Sequence, residues 1–600
     1  MTGITLNRVN RAGDSKVRSL AFVLMVSIIF AHGVFFPEQW LLIGAGLAFL
    51  QCWGVFKLKD ISGLLSLTDG LFLALISCSL LGLLHPVKSS EGWMDALRWF
   101  TLWMIYRQAR WIQGEENQQR MLNWIQAAGI MLAVLAWLPQ LSLWAKGSRL
   151  FTMGLERLSS SVGYPNALGV YLAAVILLSP RLRIIQVLLF LTLLNTGSRA
   201  SLVLFLLIMT GREIVKRRRS QQLRDSFIGI ESKSLVKKPK REKLLFGVIS
   251  ISASLLSLIY VKGPSQHLLD WGIRNSLGER LLYFQDGIKL AWLYRGIPQA
   301  GGWFTFPLVQ HIPYWTTDPH SLLIRVLLDQ GIYGMLILSL WAILMMKRLI
   351  QNSKGRQFYI FGALLFLMLH ALMDTDFLFG TLGILFWTLI GMSVPYEDKK
   401  HKKLNLIPLK HTQNRMIKFM PEYHNVLKKF LPGAIYLFLG LLLLGAGIYL
   451  PRTDSLKVAE QEAKNTGDKQ YTLSVLKKSL HNDQIQFSIR REIARLELEL
   501  QGADALGAME NVLAWEKFNI RTYEWAQGFV LEEAEKRRKT NPREADILYQ
   551  WSKELPSRLI KVSSVNRLER MLWPGAANFQ PSEMMRFLKS TAEERQLTLR

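Results

Sequence analysis

Cysteine is nearly missing from this chain of 600 residues: there are two, Cys52 and Cys78, and both lie in apolar stretches. That excludes a disulfide framework and any metal site built on thiolates. Charge is scarce as well. Charged residues make up 20% against 50% apolar, and the mean hydropathy is +0.18. That is too little charge, and too much continuous apolar sequence, for a set of soluble domains. Acidic residues are the scarcer sign, 45 against 73 basic, giving a net charge of +28. The excess is not gathered in one basic domain. Residues 452–600 carry 25 basic and 22 acidic residues, so the surplus of 48 over 23 lies in 1–451, in short runs between apolar segments. This is the charge distribution of a polytopic membrane protein under the positive-inside rule, and it excludes nucleic acid as the partner.

Apolar segments long or near-long enough to span a bilayer fall near 19–36, 39–56, 61–84, 93–107, 121–143, 165–179, 183–196, 199–211, 244–261, 319–346, 357–373, 376–394 and 431–450, about thirteen in all. Arg8, Arg11, Lys16 and Arg18 precede the first, which places the N-terminus in the cytoplasm. No convincing small-residue cleavage site follows, so that segment reads as a retained anchor. Alternating from there, every strongly basic connection falls on the cytoplasmic side. The loop 212–243 is the clearest, with twelve basic and four acidic residues. The fold class expected is therefore all-α, a membrane domain over 1–450 and a C-terminal helical domain over 451–600. The long connection 262–318, the segment 144–164, the turn Asn195-Thr196-Gly197-Ser198-Arg199 and the C-terminal domain all fall on the external face.

The C-terminal part is helical by period, with breaks at Gly502 and Pro542. Its stretch around His481-Asn482-Asp483 recurs loosely around Phe518-Asn519-Ile520, about one tetratricopeptide period later. A repeat array and a plain helical bundle both fit.

On the external face the informative groups are Arg157, Arg199, Arg274 and Arg280, where positive-inside logic expects few arginines. A guanidinium never loses its charge and binds phosphate oxygens bidentately. The helix start at Ser198 to Ser201 would add backbone donors to the same anion. Taken singly, each arginine reads as snorkelling or as pairing with Glu156, Asp270 or Glu279; taken together they argue for a bound anion. A second cluster, Tyr314-Trp315-Thr316-Thr317-Asp318-Pro319-His320-Ser321, closes the long connection. His320 has the residue type of a general base near neutral pH, and Asp318 is placed to orient it or to cap the following helix. His370, Asp374 and Asp376 stand near the external end of a hairpin and read as lining the same cavity or as a proton relay in a transporter.

In this order the motifs resemble those of the O-antigen ligase and polymerase superfamily of bacterial membrane glycosyltransferases. The matching pieces are Arg157 with Tyr164-Pro165-Asn166-Ala167, then Thr196-Gly197-Ser198-Arg199-Ala200. Arg280-Leu-Leu-Tyr283-Phe-Gln-Asp286-Gly287 follows, then Gly296-Ile-Pro298 with Gly301-Gly302-Trp303-Phe304, and His320 followed by Asp329-Gln330-Gly331-Ile332-Tyr333-Gly334. They cover about 150–390, under half the chain. Two positions depart from the family pattern: Ser321 stands where Asn often follows the histidine, and Asp329 where Glu is preferred.

The resemblance implies a type C glycosyltransferase fold and a bacterial inner-membrane location with the site extracytoplasmic. It implies a glycan donor carried on polyprenyl (undecaprenyl) pyrophosphate and an acceptor hydroxyl on a glycan or a protein. Arg199 and Arg280 would hold the pyrophosphate, with Arg157 beside them, and His320 would activate the acceptor. Asp318, Tyr283 and Arg274 would support them. Two arginines can neutralise the leaving group without a metal, no DxD-like external acidic pair stands in the right context, and no cofactor is expected. Helical repeats with concave faces usually bind polypeptide, so 451–600 is expected to receive a protein acceptor. The motifs leave ligase and polymerase unseparated. A transporter ranks last, because the sequence shows no internal symmetry.

Overall fold

In a computed structural model the chain is all-helical (82% helix), with no strand among the described residues. These are 3–30, 32–58, 66–112, 114–141, 157–179, 184–227, 273–310, 318–394, 465–562 and 580–599, with Ile312, Thr316 and Gln461 besides. The spans expected at 244–261 and 431–450 lie outside them, as do Glu156, Asp270, Tyr314, Trp315, Thr317 and the side chain of Arg274. The chain forms two compact units: Met1–Leu73 with Leu97–Leu268 and Leu338–Gly447, and Ala74–Ala96 with Leu269–Ile337 and Ile448–Arg600.

The helices, in chain order, are α1 (Gly3–Ile29), α2 (Pro37–Leu58), α3 (Leu67–Leu81), α4 (Ser89–Ala109), α5 (Glu115–Leu141), α6 (Pro165–Leu177), α7 (Ile184–Asn195) and α8 (Arg199–Phe227). There follow α9 (Ile273–Leu293), α10 (Leu322–Asp329), α11 (Gly331–Asn352), α12 (Arg356–Ala371) and α13 (Gly380–Ser393). Among the described residues three helical stretches are long and apolar enough to cross a membrane, Leu67–Leu84, Glu115–Leu138 and Gly331–Asn352; Pro165–Leu177, Ile184–Asn195, Arg356–Ala371 and Gly380–Ser393 are apolar but shorter.

In the first unit, α6 and α13 are apolar on all sides and buried along their length, from Ala167 to Leu177 and from Gly380 to Ser393. A helix without a polar stripe belongs at the centre of its unit, and α5, α7, α8 and α12 pack around α6. Close packing requires small residues there. A Cβ on Gly169 of α6 would lie 2.9 Å from Thr196 Oγ1, so this helix packs directly against the α7–α8 turn. The basic residues Arg107 and Arg110 are not merely solvated. The buried carboxylate of Asp69 accepts from Trp103 Nε1 at 2.7 Å and Arg107 Nη1 at 3.2 Å, and Arg110 Nη1 stands 3.4 Å away.

In the second unit, α9 and α10 pack around Leu282, Tyr283, Leu290, Trp303, Phe306 and Leu328. The same unit holds α14 (Lys469–Asn482), α15 (Phe487–Gln501), α16 (Leu506–Trp515), α17 (Ile520–Arg537), α18 (Pro542–Val562) and α19 (Glu583–Leu597). Asp468 caps α14, accepting from the amides of Gln470 and Tyr471 at 2.9 and 3.0 Å. Met509, Tyr523, Val530, Leu548, Tyr549 and Leu555 centre the core of these helices. They join the rest of their unit through Gln484 N donating to Val87 O at 2.6 Å and Lys517 Nζ donating to Gln310 O at 2.8 Å.

Three expectations are refined. The segment 319–346 is two helices rather than one, broken at Gly331, whose φ of +71° lies in the left-handed region. A helix cannot continue through that conformation, and α11 begins there. The basic stretch after 211 does not leave the helix: α8 runs on to Phe227, because Lys, Arg and Gln are good helix formers wherever hydropathy ends. The connection 262–318 contains a 21-residue helix, α9.

Gly331 gives a first test. A Cβ there would meet Gly296 O at 2.6 Å in a backbone that L side chains avoid. Gly331→Ala should destabilise the folded protein by more than about 1 kcal/mol, read as a lower thermal midpoint in detergent, whereas Gly211→Ala, inside α8 with open space around it, should leave the midpoint unchanged or raise it.

Candidate functional site

The expected site residues fall into two groups, one in each unit. In the first unit the α7–α8 turn, Thr196-Gly197-Ser198, is braced from two sides. Arg157 Nε donates to Thr196 O at 2.7 Å, and its Nη2 donates to Asn166 Oδ1 at 2.6 Å. Gly197 sits at φ +62°, and a Cβ on it would lie 3.1 Å from Arg157 Nε, so glycine serves both the turn and the arginine's approach. The chain of bonds continues outward. Asn166 Nδ2 donates to Asp374 Oδ2 at 2.8 Å, and Tyr164 Oη donates to Asp374 Oδ1 at 3.1 Å. Tyr164 also stacks on Phe379, centroids 5.3 Å apart. The Tyr164-Pro165-Asn166 motif is thus a device for holding Arg157, with Pro165 in the first turn of α6 where its missing N–H costs nothing.

Burial draws the Arg157 guanidinium below its ordinary value. Tyr164 and Asp374 oppose that, and the like charge of Arg199 adds to it. Arg157, bonded to Thr196 O, and Arg199 both flank the start of α8, where backbone N–H groups lack intrahelical acceptors. All three features favour an anion.

The far side of the turn rests on groups that sequence ranked low. His370 and Asp376 are buried, with Nδ1 and Oδ2 2.6 Å apart. His370 Nε2 is 3.0 Å from Ser201 Oγ, which is 2.6 Å from Ser198 Oγ. His370, Asp374 and Asp376 bring ring nitrogen and carboxylate oxygens within 4.8 Å of one another, a spacing a cation can use. Here those atoms are engaged: Asp374 by Tyr164, Asn166 and the amide of Thr375, and His370 by Asp376 and Ser201.

The second group is built on α9 and the turn into α10. His320 has φ +51°, a left-handed conformation that a residue with a Cβ adopts only when its surroundings impose it. Asp318 imposes it, with Oδ1 accepting the His320 amide at 2.8 Å. The imidazole stacks on Tyr283, centroids 5.4 Å apart and planes 22° from parallel. Tyr283 Oη donates to Glu279 Oε2 at 3.5 Å, one helical turn back on α9. Arg280, half-buried, is the next residue along. Burial raises the Glu279 carboxyl, against the Tyr283 hydrogen bond and the charges of His320 and Arg280. Burial and Glu279 together push the Tyr283 phenol well up.

Asp318 is itself anchored. Arg325 Nη1 donates to its Oδ2 at 3.0 Å, Arg325 Nη2 lies 3.6 Å from Asp95 Oδ1, and Arg325 Nε lies 3.5 Å from Asp329 Oδ2. The guanidinium also lies over Trp303, 5.3 Å from its centroid. Burial raises the Asp318 carboxyl; Arg325, His320 and the His320 amide oppose the rise. The glycine motifs around it are packing devices. Gln299 N donates to Asp329 O at 3.2 Å and Ile332 N to Gly296 O at 3.0 Å, and a Cβ on Gly302 would meet Leu328 O at 2.7 Å.

Of the expected residues, Arg157 and Arg199 flank one turn of the first unit, and Arg280, Tyr283, Asp318 and His320 share one region of the second. Sequence reading missed Arg325, a cation in the middle of an otherwise apolar stretch of α10 that ends in Asp329; its signal was the cost of burying it. It also missed Asp95, and it set Glu279 aside as an arginine's ordinary partner. No family model matches the chain, and no curated protein sequence matches it.

Removing Arg325 would leave three buried carboxylates around an empty place. Arg325→Met should cost about 3–5 kcal/mol of stability, seen as a large fall in thermal midpoint. Asp329→Asn, which lowers the negative charge while keeping the shape, should cost far less.

Proposed function

We propose that the chain is a multi-pass membrane glycosyltransferase of the O-antigen ligase kind, with about thirteen spans, moving a glycan en bloc from polyprenyl (undecaprenyl) pyrophosphate to an acceptor hydroxyl on the external face of a bacterial inner membrane. The observation that carries the reading is Arg157 clamped to Thr196 O, three residues before Arg199 opens α8, so that one turn carries two arginines and a helix N-terminus, a set that suits a pyrophosphate. His320, held in a strained backbone and stacked on Tyr283, supports it as the acceptor's base.

In this reading the acceptor oxygen forms a bond to the anomeric carbon as the bond from that carbon to the pyrophosphate oxygen breaks, with inversion. The acceptor proton passes to the His320 imidazole, and the electron pair leaves on undecaprenyl pyrophosphate. Charge builds on the leaving pyrophosphate, and stabilising it is the role that the motif resemblance gives to Arg199, Arg280 and Arg157. The role needs no cofactor. Glu279 and Asp318 orient His320, one through Tyr283 and the other through the backbone. The C-terminal helices would receive a protein acceptor, a role that suits a tetratricopeptide-like array. A glycan polymerase uses the same donor chemistry and is the runner-up.

The test is surface-glycan profiling of a deletion strain carrying the wild-type chain, Arg199→Ala, Arg280→Ala or His320→Ala. Each variant should lower transfer at least a hundredfold, with lipid-linked glycan accumulating. Full rescue by all three would overturn the reading. Loss of long chains alone, with single repeats still attached, would replace ligase with polymerase. For the acceptor, Phe587→Glu on the exposed face of α19 should raise the acceptor KM and leave donor binding unchanged; unchanged acceptor kinetics would remove this face from the site.

A further inference from the structure

The bonds on the far side of the α7–α8 turn have a direction. A carboxylate oxygen 2.6 Å from His370 Nδ1 places the proton on that nitrogen, so Nδ1–H donates to Asp376. In the neutral imidazole Nε2 is then an acceptor, and Ser201 O–H donates to it at 3.0 Å. Ser201 Oγ is left to accept from Ser198 O–H at 2.6 Å. The chain therefore runs Ser198 to Ser201 to His370 to Asp376, each donor polarised by the next and the last acceptor a carboxylate. Its members come from α8 and the residue before it, from the end of α12 and from the short turn after it, and all four side chains are buried.

Ser198 immediately precedes Arg199, and Ser201 lies in the first turn of α8. The relay thus grips the segment that carries Arg199, while Arg157 grips the preceding residues through Thr196 O. A buried imidazole saturated by two partners does not reach a ligand; it fixes what its partners are attached to. We propose that Asp376, His370 and Ser201 are positioning residues that set the Arg199 end of α8 for the pyrophosphate of a lipid-linked donor. The inference rests on the reading of Arg199 given above and adds three residues to it.

The experiment measures binding of undecaprenyl pyrophosphate to the full-length protein in detergent, with donor KM and kcat alongside. Ser201→Ala should weaken binding about tenfold, the scale of one buried hydrogen bond, and raise the donor KM more than it lowers kcat. Ser201→Thr, which keeps the hydroxyl, should restore both. Asp376→Asn, which keeps the shape and removes the carboxylate, should act in the same direction and serves as the second variant should Ser201→Ala not fold.

The deciding comparison is the double variant Ser201→Ala with Arg199→Ala. If the relay acts through Arg199, the double variant binds no worse than Arg199→Ala alone. Additive losses, with Arg199→Ala itself weakening binding, would overturn the relay and leave the pyrophosphate reading standing. Undiminished binding by Arg199→Ala would overturn that reading and the relay with it. Loss of binding in EDTA, restored by a divalent cation, would overturn the relay in favour of an ion held by His370, Asp374 and Asp376.

Discussion

The pairing of Arg325 with Asp318 is the interaction on which the geometry around His320 depends. A guanidinium only 9% exposed is tolerable only if carboxylates surround it, and Asp95, Asp318 and Asp329 do so at 3.0–3.6 Å. Those three come from different stretches of chain, so one buried charge fixes α4, the approach to α10 and the end of α10 together. Asp318 then spends its other oxygen on the His320 amide. The left-handed backbone at His320, unfavourable by itself, is thus maintained by an ion pair two bonds away. The imidazole meets Tyr283 because the backbone beneath it cannot relax.

The first unit solves the same problem with hydrogen bonds. The turn before α8 is clamped by Arg157 and leads into Arg199, and a charge on a long side chain keeps its place only where its stem is fixed. Arg157 is fixed by Thr196 and Asn166, and Asn166 by Asp374. Ser198 and Ser201 are fixed by His370, and His370 by Asp376. Asp374 and Asp376 follow α12 closely, so one short segment ends both chains. A polar network buried to this depth stabilises only when its members are satisfied, and such a network holds one geometry rather than several.

Much of the helical order was legible in the sequence, because apolar runs mark helices regardless of what they pack against. α5, α6, α7, α12 and α13 stand within a few residues of the expected segments. Legibility failed where hydropathy and helix part company: at Gly331, whose dihedral angle breaks an apolar run, and after Arg212, where a basic run stays helical. Among the candidate residues, Arg157, Arg199 and Arg280 were legible as charges where charge is costly, and His320 by its residue type. Arg325 and Asp95 are 230 residues apart in sequence, and Ser201 and His370 are 169 apart. No spacing rule connects such pairs, and only the fold gives each its meaning.

Arginine at 157 is a choice of shape as much as of charge. Its Nε and Nη2 donors are committed, at 2.7 and 2.6 Å, to a backbone carbonyl and a side-chain amide in different directions. That uses two of the five N–H groups of a planar fork and locks the plane of the guanidinium. A lysine offers three donors on one freely rotating nitrogen, so it could carry the charge and still neither clamp the turn nor keep a fixed face. Gly197 is matched to the fork, since any Cβ there would press on Nε. The arginine therefore does two jobs that cannot be separated, holding the α7–α8 turn against Asn166 and setting positive charge beside Arg199 at the start of the next helix.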